Sequence, residues 1–91
     1  MTLAIPTVHM NGSSKEMMIR DLTKARYAIQ KAVGAMAEVT PNGRDYYPQG
    51  PDAITEAIRQ HGQRIAALIR VHDELGEIAM AISEGGRHAI R

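Results

Sequence analysis

Four consecutive residues, Arg44, Asp45, Tyr46 and Tyr47, hold the densest chemistry in this chain. A guanidinium offers a planar fork of donors suited to phosphate or carboxylate, a carboxylate accepts from a ribose hydroxyl or an exocyclic amine, and a phenol ring stacks on a base. Together they describe a nucleotide better than any other common ligand. Asn42 and Gly43 precede them as a turn whose exposed amides suit an anion. His9 and Asn11, near the start of the chain, are further candidates for the same site. The plainer reading of these residues is an Arg44–Asp45 pair or two helix-end caps, with the tyrosines sealing the end of a hairpin.

These residues sit in a stretch that also gathers Pro41, Pro48 and Pro51, and long helical patterns flank it on both sides. The spacing predicts a first helix over 13–39. Ser13 and Glu16 match a capping box, and Met18, Leu22, Ala25, Ile29, Ala32, Met36 and Val39 recur at alternating intervals of four and three. Pro41 disfavours helical geometry at Thr40 and ends the run. A second helix is predicted over 51–84, with Pro51 at its first position and Asp52 and Glu56 near the positive end of its dipole. Its seam is Ile54, Ile58, His61, Ile65, Leu68, His72, Leu75, Ala79 and Ile82, and Gly85-Gly86 is the expected C-cap. Residues 1–12 read as an extended arm broken by Pro6 and closed by an Asn11-Gly12 turn, 40–50 as a loop, and 85–91 as a tail.

The fold class that follows is all-α: one domain over 1–91, an antiparallel two-helix hairpin with a short extended N-terminal arm. Ninety-one residues without cysteine support a modest core, and the apolar stripes are broader than one facing helix covers. Ala28, Val33, Ala35, Ala37, Ala57, Val71 and Ile78 lie off the seams, and Ile69 would stay exposed against a single partner helix. Assembly into an oligomeric helical bundle is therefore expected, with the chain itself as first partner.

Other chemistries fit poorly. The 11 basic and 10 acidic residues are interspersed, leaving a formal charge of +1, which does not suit binding to duplex nucleic acid. No apolar run approaches the roughly 20 residues needed to span a bilayer, so a soluble, cytoplasmic protein without membrane partners is expected. His61 and His72 share a seam, but eleven residues separate them by roughly 16 Å, so a polar seam residue that fixes helix register, hydrogen-bonded across the interface, is the better reading and no metal is expected. Glu74 and Glu77 resemble half of the paired carboxylate motif of helical nucleotide pyrophosphohydrolases; the second half is missing, and a solvated acidic face is the better reading. With no thiol nucleophile, and Ser13 and Ser14 accounted for by capping, neither catalysis nor a cofactor is expected.

Val8-His9-Met10-Asn11-Gly12-Ser13-Ser14, followed by Pro41-Asn42-Gly43-Arg44-Asp45-Tyr46-Tyr47-Pro48-Gln49-Gly50, resembles a family of small helical proteins encoded by phages and prophages of proteobacteria. The resemblance covers nearly the whole chain. It carries no activity over; it implies a phage-type protein acting in the bacterial cytoplasm. In that setting the chain is similar in size, helical character and expected self-association to phage sponges, which sequester nucleotide-derived immune signals without cleaving them. Non-catalytic sequestration of a small anionic nucleotide, with the loop residues and the arm residues His9 and Asn11 lining pockets between subunits, is the leading expectation. The alternative is a protein-interaction or structural module of phage origin that uses the 41–51 loop as its contact site.

Overall fold

The computed structural model describes residues 2–85. Two α-helices dominate it, α1 over Lys15–Glu38 and α2 over Ala53–Ser83, and no strand occurs among the described residues. Helix α1 begins one residue later than the capping box predicts. Ser14, with extended backbone (φ −70°, ψ 153°), is the N-cap, and its hydroxyl accepts from the Met17 amide at 3.1 Å. A reciprocal box would need an acid at position 17, where Met17 stands; Glu16 instead places its charge in the first turn, where the helix dipole favours it. The expected turn before the helix is present, closed by the Gly12 amide donating to the His9 carbonyl at 3.1 Å. Residues 2–9 carry neither helix nor strand, with Leu3, Ile5 and Val8 half-buried.

The other end of α1 stops where Pro41 predicts. The Thr40 hydroxyl folds back to donate to the Ala37 carbonyl at 2.7 Å, and the Val39 amide donates to Met36 at 3.1 Å. The connection is more ordered than a plain loop, since Gly43–Asp45 and Tyr47–Gln49 each form one turn of 3-10 helix. Gly50 follows at φ 114°, a backbone state that side chains disfavour, and it lets the chain reverse into α2. Asp52 is the N-cap of α2 without a side-chain hydrogen bond, which leaves Pro51 before the cap and not at the first helical position. Gly85 (φ 101°) follows the C-cap as expected, while Gly86 and the rest of the tail lie outside the described residues.

The helices run antiparallel. Met36, late in α1, meets His61, early in α2, and Arg26 and Gln30 meet His72 further along. Most predicted seam residues turn inward, but Ala25, Val39 and Ile58 are exposed, and Ile19, Arg26 and Val33 take half-buried places that the seam does not include. Among the described residues, only Ile82 and His61 are buried outright. The outcome is a long, thin particle. Its radius of gyration is 18.9 Å, against about 12 Å for a compact chain of this length.

Candidate functional site

A cleft of about 530 Å³ opens at the loop end of the hairpin, within the range of small-molecule sites. Its walls come from three pieces of chain: Met36 of α1 with its C-cap Val39, Pro41, Tyr46 and Gln49 of the loop, and the first turns of α2. Ala53, Ala57, Gln60 and Arg64 line it because intervals of three and four keep them on one flank of α2. His61, 6% exposed, also reaches it.

His61 has a structural task. Its Nε2 lies 2.7 Å from the Met36 carbonyl, which can only accept, so Nε2 carries the proton and donates. Helix α1 has no basic residue in its last turn, and the imidazole from α2 supplies a donor to one of its terminal carbonyls. One hydrogen bond therefore closes the hairpin and caps a helix. The hydrogen bond across the helix pair expected of this seam histidine is made to backbone.

Elsewhere in the cleft, Glu56 is held by Arg59 and Gln60. Its carboxylate accepts from Arg59 Nε at 3.0 Å and from Gln60 Nε2 at 2.9 Å, and these hydrogen bonds, Arg59 first, lower its pKa from 4.5 to about 2. The acid on this wall is thus already matched by a cation. Arg64 brings a further guanidinium to the same wall.

A second, shallower cleft of about 550 Å³ adjoins the first, lined by Glu38, Val39, Thr40, Pro41, Asn42, Asp45, Tyr46 and Gln49. Tyr46 and Gln49 are walls of both. Of the residues singled out in the sequence, Asn42, Asp45 and Tyr46 therefore come together. Arg44 and Tyr47 line neither cleft. The Arg44 Nε donates to the Asn42 side-chain oxygen at 3.3 Å, and Tyr47 points outward, 76% exposed. The amides that follow are used within the loop: Arg44 donates to the Asn42 side chain at 2.8 Å, Asp45 to the Asn42 carbonyl at 3.0 Å and Tyr46 to the Gly43 carbonyl at 3.1 Å.

His9 and Asn11 are at the opposite end of α1 from the loop. A 24-residue helix of roughly 36 Å stands between, so within one chain they do not join the loop residues. The cleft residues that sequence reasoning missed are Gln49, Gln60 and Arg64. Their signal was the spacing of Ala53, Glu56, Gln60 and Arg64, which only becomes informative once that flank of α2 is known to face the loop.

Midway along the hairpin lies a second polar joint. Arg26 Nε donates to the His72 carbonyl at 3.1 Å, Gln30 Nε2 meets His72 Nε2 at 3.2 Å, and His72 Nδ1 meets the Asp73 carboxylate at 3.2 Å. With the amide donating to Nε2, the ring proton sits on Nδ1 and faces the acid. Gly76 makes room for this joint, since a Cβ there would stand 2.8 Å from the Arg26 guanidinium carbon. Glu74 and Glu77 lie on the outer face, where Arg70 donates to Glu74 at 3.0 Å. Among the described residues, no group of three or more His, Cys, Asp or Glu side chains could hold a metal ion, and no helix is long and apolar enough to cross a membrane. Comparison with protein-family models, with curated proteins and with solved structures found no match to this chain.

Proposed function

We propose that this chain is a non-catalytic, self-associating helical protein that captures a small phosphate-bearing nucleotide at its loop end. The observation that carries the reading is the position of Tyr46: one half-buried aromatic ring forms a shared wall of two adjoining clefts, with Arg64, Gln60 and Gln49 around one and Asn42 and Asp45 around the other. Stacking a base on such a ring contributes roughly 1 to 3 kcal/mol. A guanidinium on the same wall suits phosphate, and the amides and the Asp45 carboxylate suit base edges and ribose hydroxyls. In this reading Arg64 takes the phosphate role first given to Arg44, because Arg64 lines the cleft and Arg44 folds onto Asn42. Capture without turnover, in the bacterial cytoplasm and in the manner of a phage sponge that withholds an immune signal, is the biological role that the resemblance to phage and prophage proteins supports.

A second reading, a protein-interaction module, is favoured by Tyr47. A tyrosine ring 76% exposed at the tip of a hairpin is the kind of anchor that protein interfaces use. Thermal melting against cyclic dinucleotides, cyclic trinucleotides and cyclic ADP-ribose isomers separates the two. A ligand at 100 times its dissociation constant adds roughly 2.7 kcal/mol, a rise in Tm of several degrees. The expected result is a ligand-specific rise that disappears in Tyr46→Ala and Arg64→Ala and survives in Arg44→Ala. No rise with any of them would leave the interaction module standing and send the search to protein partners of Tyr47.

A further inference from the structure

We propose that a second copy of this chain packs on α2 along the line Ile58, Gly62, Ile69, Gly76 and Met80, antiparallel and about a two-fold axis at Ile69. Eleven residues separate Ile58 from Ile69 and Ile69 from Met80, three full helical turns each, so the three side chains fall on one line roughly 33 Å long. All three are exposed in the isolated hairpin, at 49%, 44% and 63%. On the α1 side an apolar groove of about 300 Å³ runs beside the line, between Ile29 and Val33 of α1 and Ile69 of α2. This flank is the one away from Gln60 and Arg64, so covering it leaves the larger cleft open.

The order of residues along the line picks out the occupant. It reads the same from either end in spacing: Gly62 lies seven residues before Ile69 and Gly76 seven after, Ile58 eleven before and Met80 eleven after. An isologous contact needs this self-complementarity, because a two-fold axis at Ile69 sets each position against its mirror in the partner. Ile58 then meets the second copy's Met80, and the notch at Gly62 meets the Arg26 guanidinium that lies across the second copy's Gly76. Gly62 is otherwise unexplained. A glycine inside a helix costs about 0.5 to 1 kcal/mol against alanine, and a Cβ at position 62 would meet nothing within 4 Å in the hairpin. Close approach of the second copy gives it a use, since the open space at Gly62 can receive the Arg26 guanidinium that projects over Gly76 opposite.

The exposed area has the right size. The chain leaves 6744 Å² accessible, where a compact monomer of 10.0 kDa would leave about 5,200 Å². That excess exceeds the roughly 800 Å² per partner that a standard interface removes. The same arrangement also sets the loop end of each hairpin beside the start of α1 in the other, and so beside the segment carrying His9 and Asn11. A neighbouring copy thereby brings to the loop the two residues that α1 keeps away from it within one chain.

This inference shares with the functional proposal only the premise that copies associate, and cross-linking reads it independently of any nucleotide. The chain has no cysteine, so single substitutions report without background. Under mild oxidation Ile69→Cys should form a disulfide-linked dimer, because Cβ atoms at a close two-fold contact come within the roughly 3.5 to 4.5 Å that a disulfide needs. Ile58→Cys alone and Met80→Cys alone should not, while a mixture of the two should. Ile69→Glu should lower the light-scattering mass to that of a single chain with the helical circular dichroism retained. Cross-linking by Ile58→Cys alone, cross-linking by Val71→Cys on the other flank in place of Ile69→Cys, or a wild-type mass of one chain at micromolar concentration would each overturn the proposal.

Discussion

His61 and His72 occupy equivalent places in one seam of one helix, yet the hairpin uses them differently. His61 stands where α1 ends, so its ring meets the Met36 carbonyl beside the Val39 amide that also donates to it, and it is buried with that bond made. His72 stands beside the middle of α1, where side chains and not helix-end carbonyls face it. It is half-buried among Arg26, Gln30 and Asp73, and its own carbonyl accepts from Arg26. Seam position says that a histidine will be covered. What it bonds to depends on where the other helix stops.

The largest expected effect tests that contrast directly. His61→Ala should destabilise by about 2 to 3 kcal/mol, combining a void with the loss of a buried hydrogen bond, whereas His72→Ala should cost about 1 kcal/mol. Thermal melts at matched protein concentration read the difference, and equal losses would erase the distinction between a buried cap and a half-exposed joint. A smaller effect sharpens the His72 side. Gly76→Ala should be nearly neutral, since about 1 kcal/mol of helix propensity is offset by displacing Arg26 from the His72 carbonyl. In an Arg26→Ala background the same change should stabilise by about 1 kcal/mol. A double-mutant cycle with no coupling would mean that Arg26 does not need the space at Gly76.

The smallest effect belongs to the His61 end. Glu56 has its pKa lowered to about 2 by hydrogen bonds from Arg59 and Gln60, on an exposed part of the cleft rim. A carboxylate with a lowered folded-state pKa contributes stability that is complete above its ordinary value near 4.5 and is lost as pH falls through about 2. Glu56→Gln should therefore lower the urea midpoint slightly at neutral pH and leave it unchanged near pH 2. A difference that persists at the acid end would place the effect in packing and not in charge.

Much of the hairpin was legible in the sequence because its causes are local. Pro41 and Pro51 bracket the connection, serine starts α1, and the four-and-three spacing of apolar residues marks the buried stripes. The stripes were less exact at their edges. Ile58 and Val39 keep the heptad spacing and still face solvent, and Arg26, a charged residue that no apolar pattern includes, lies in the joint because Gly76 leaves it room. The site was half legible. A turn rich in Asn, Arg, Asp and Tyr announces itself, but Gln60 and Arg64 sit fourteen and eighteen residues beyond Tyr46 and join it only because α2 folds back beneath the loop.

By itself, then, the sequence determined two helices, their ends to within about two residues, the place of the connection and most of both stripes, since caps, prolines and a 3.6-residue period act over a few residues of chain. Only the tertiary structure decided which serine caps α1, that Tyr46 faces the clefts while Tyr47 faces out, that Arg64 and not Arg44 lines the cleft, and which flank of α2 remains uncovered. Each of these depends on atoms contributed by the other helix or on the turn of a 3-10 segment. Neighbours in sequence carry no information about them.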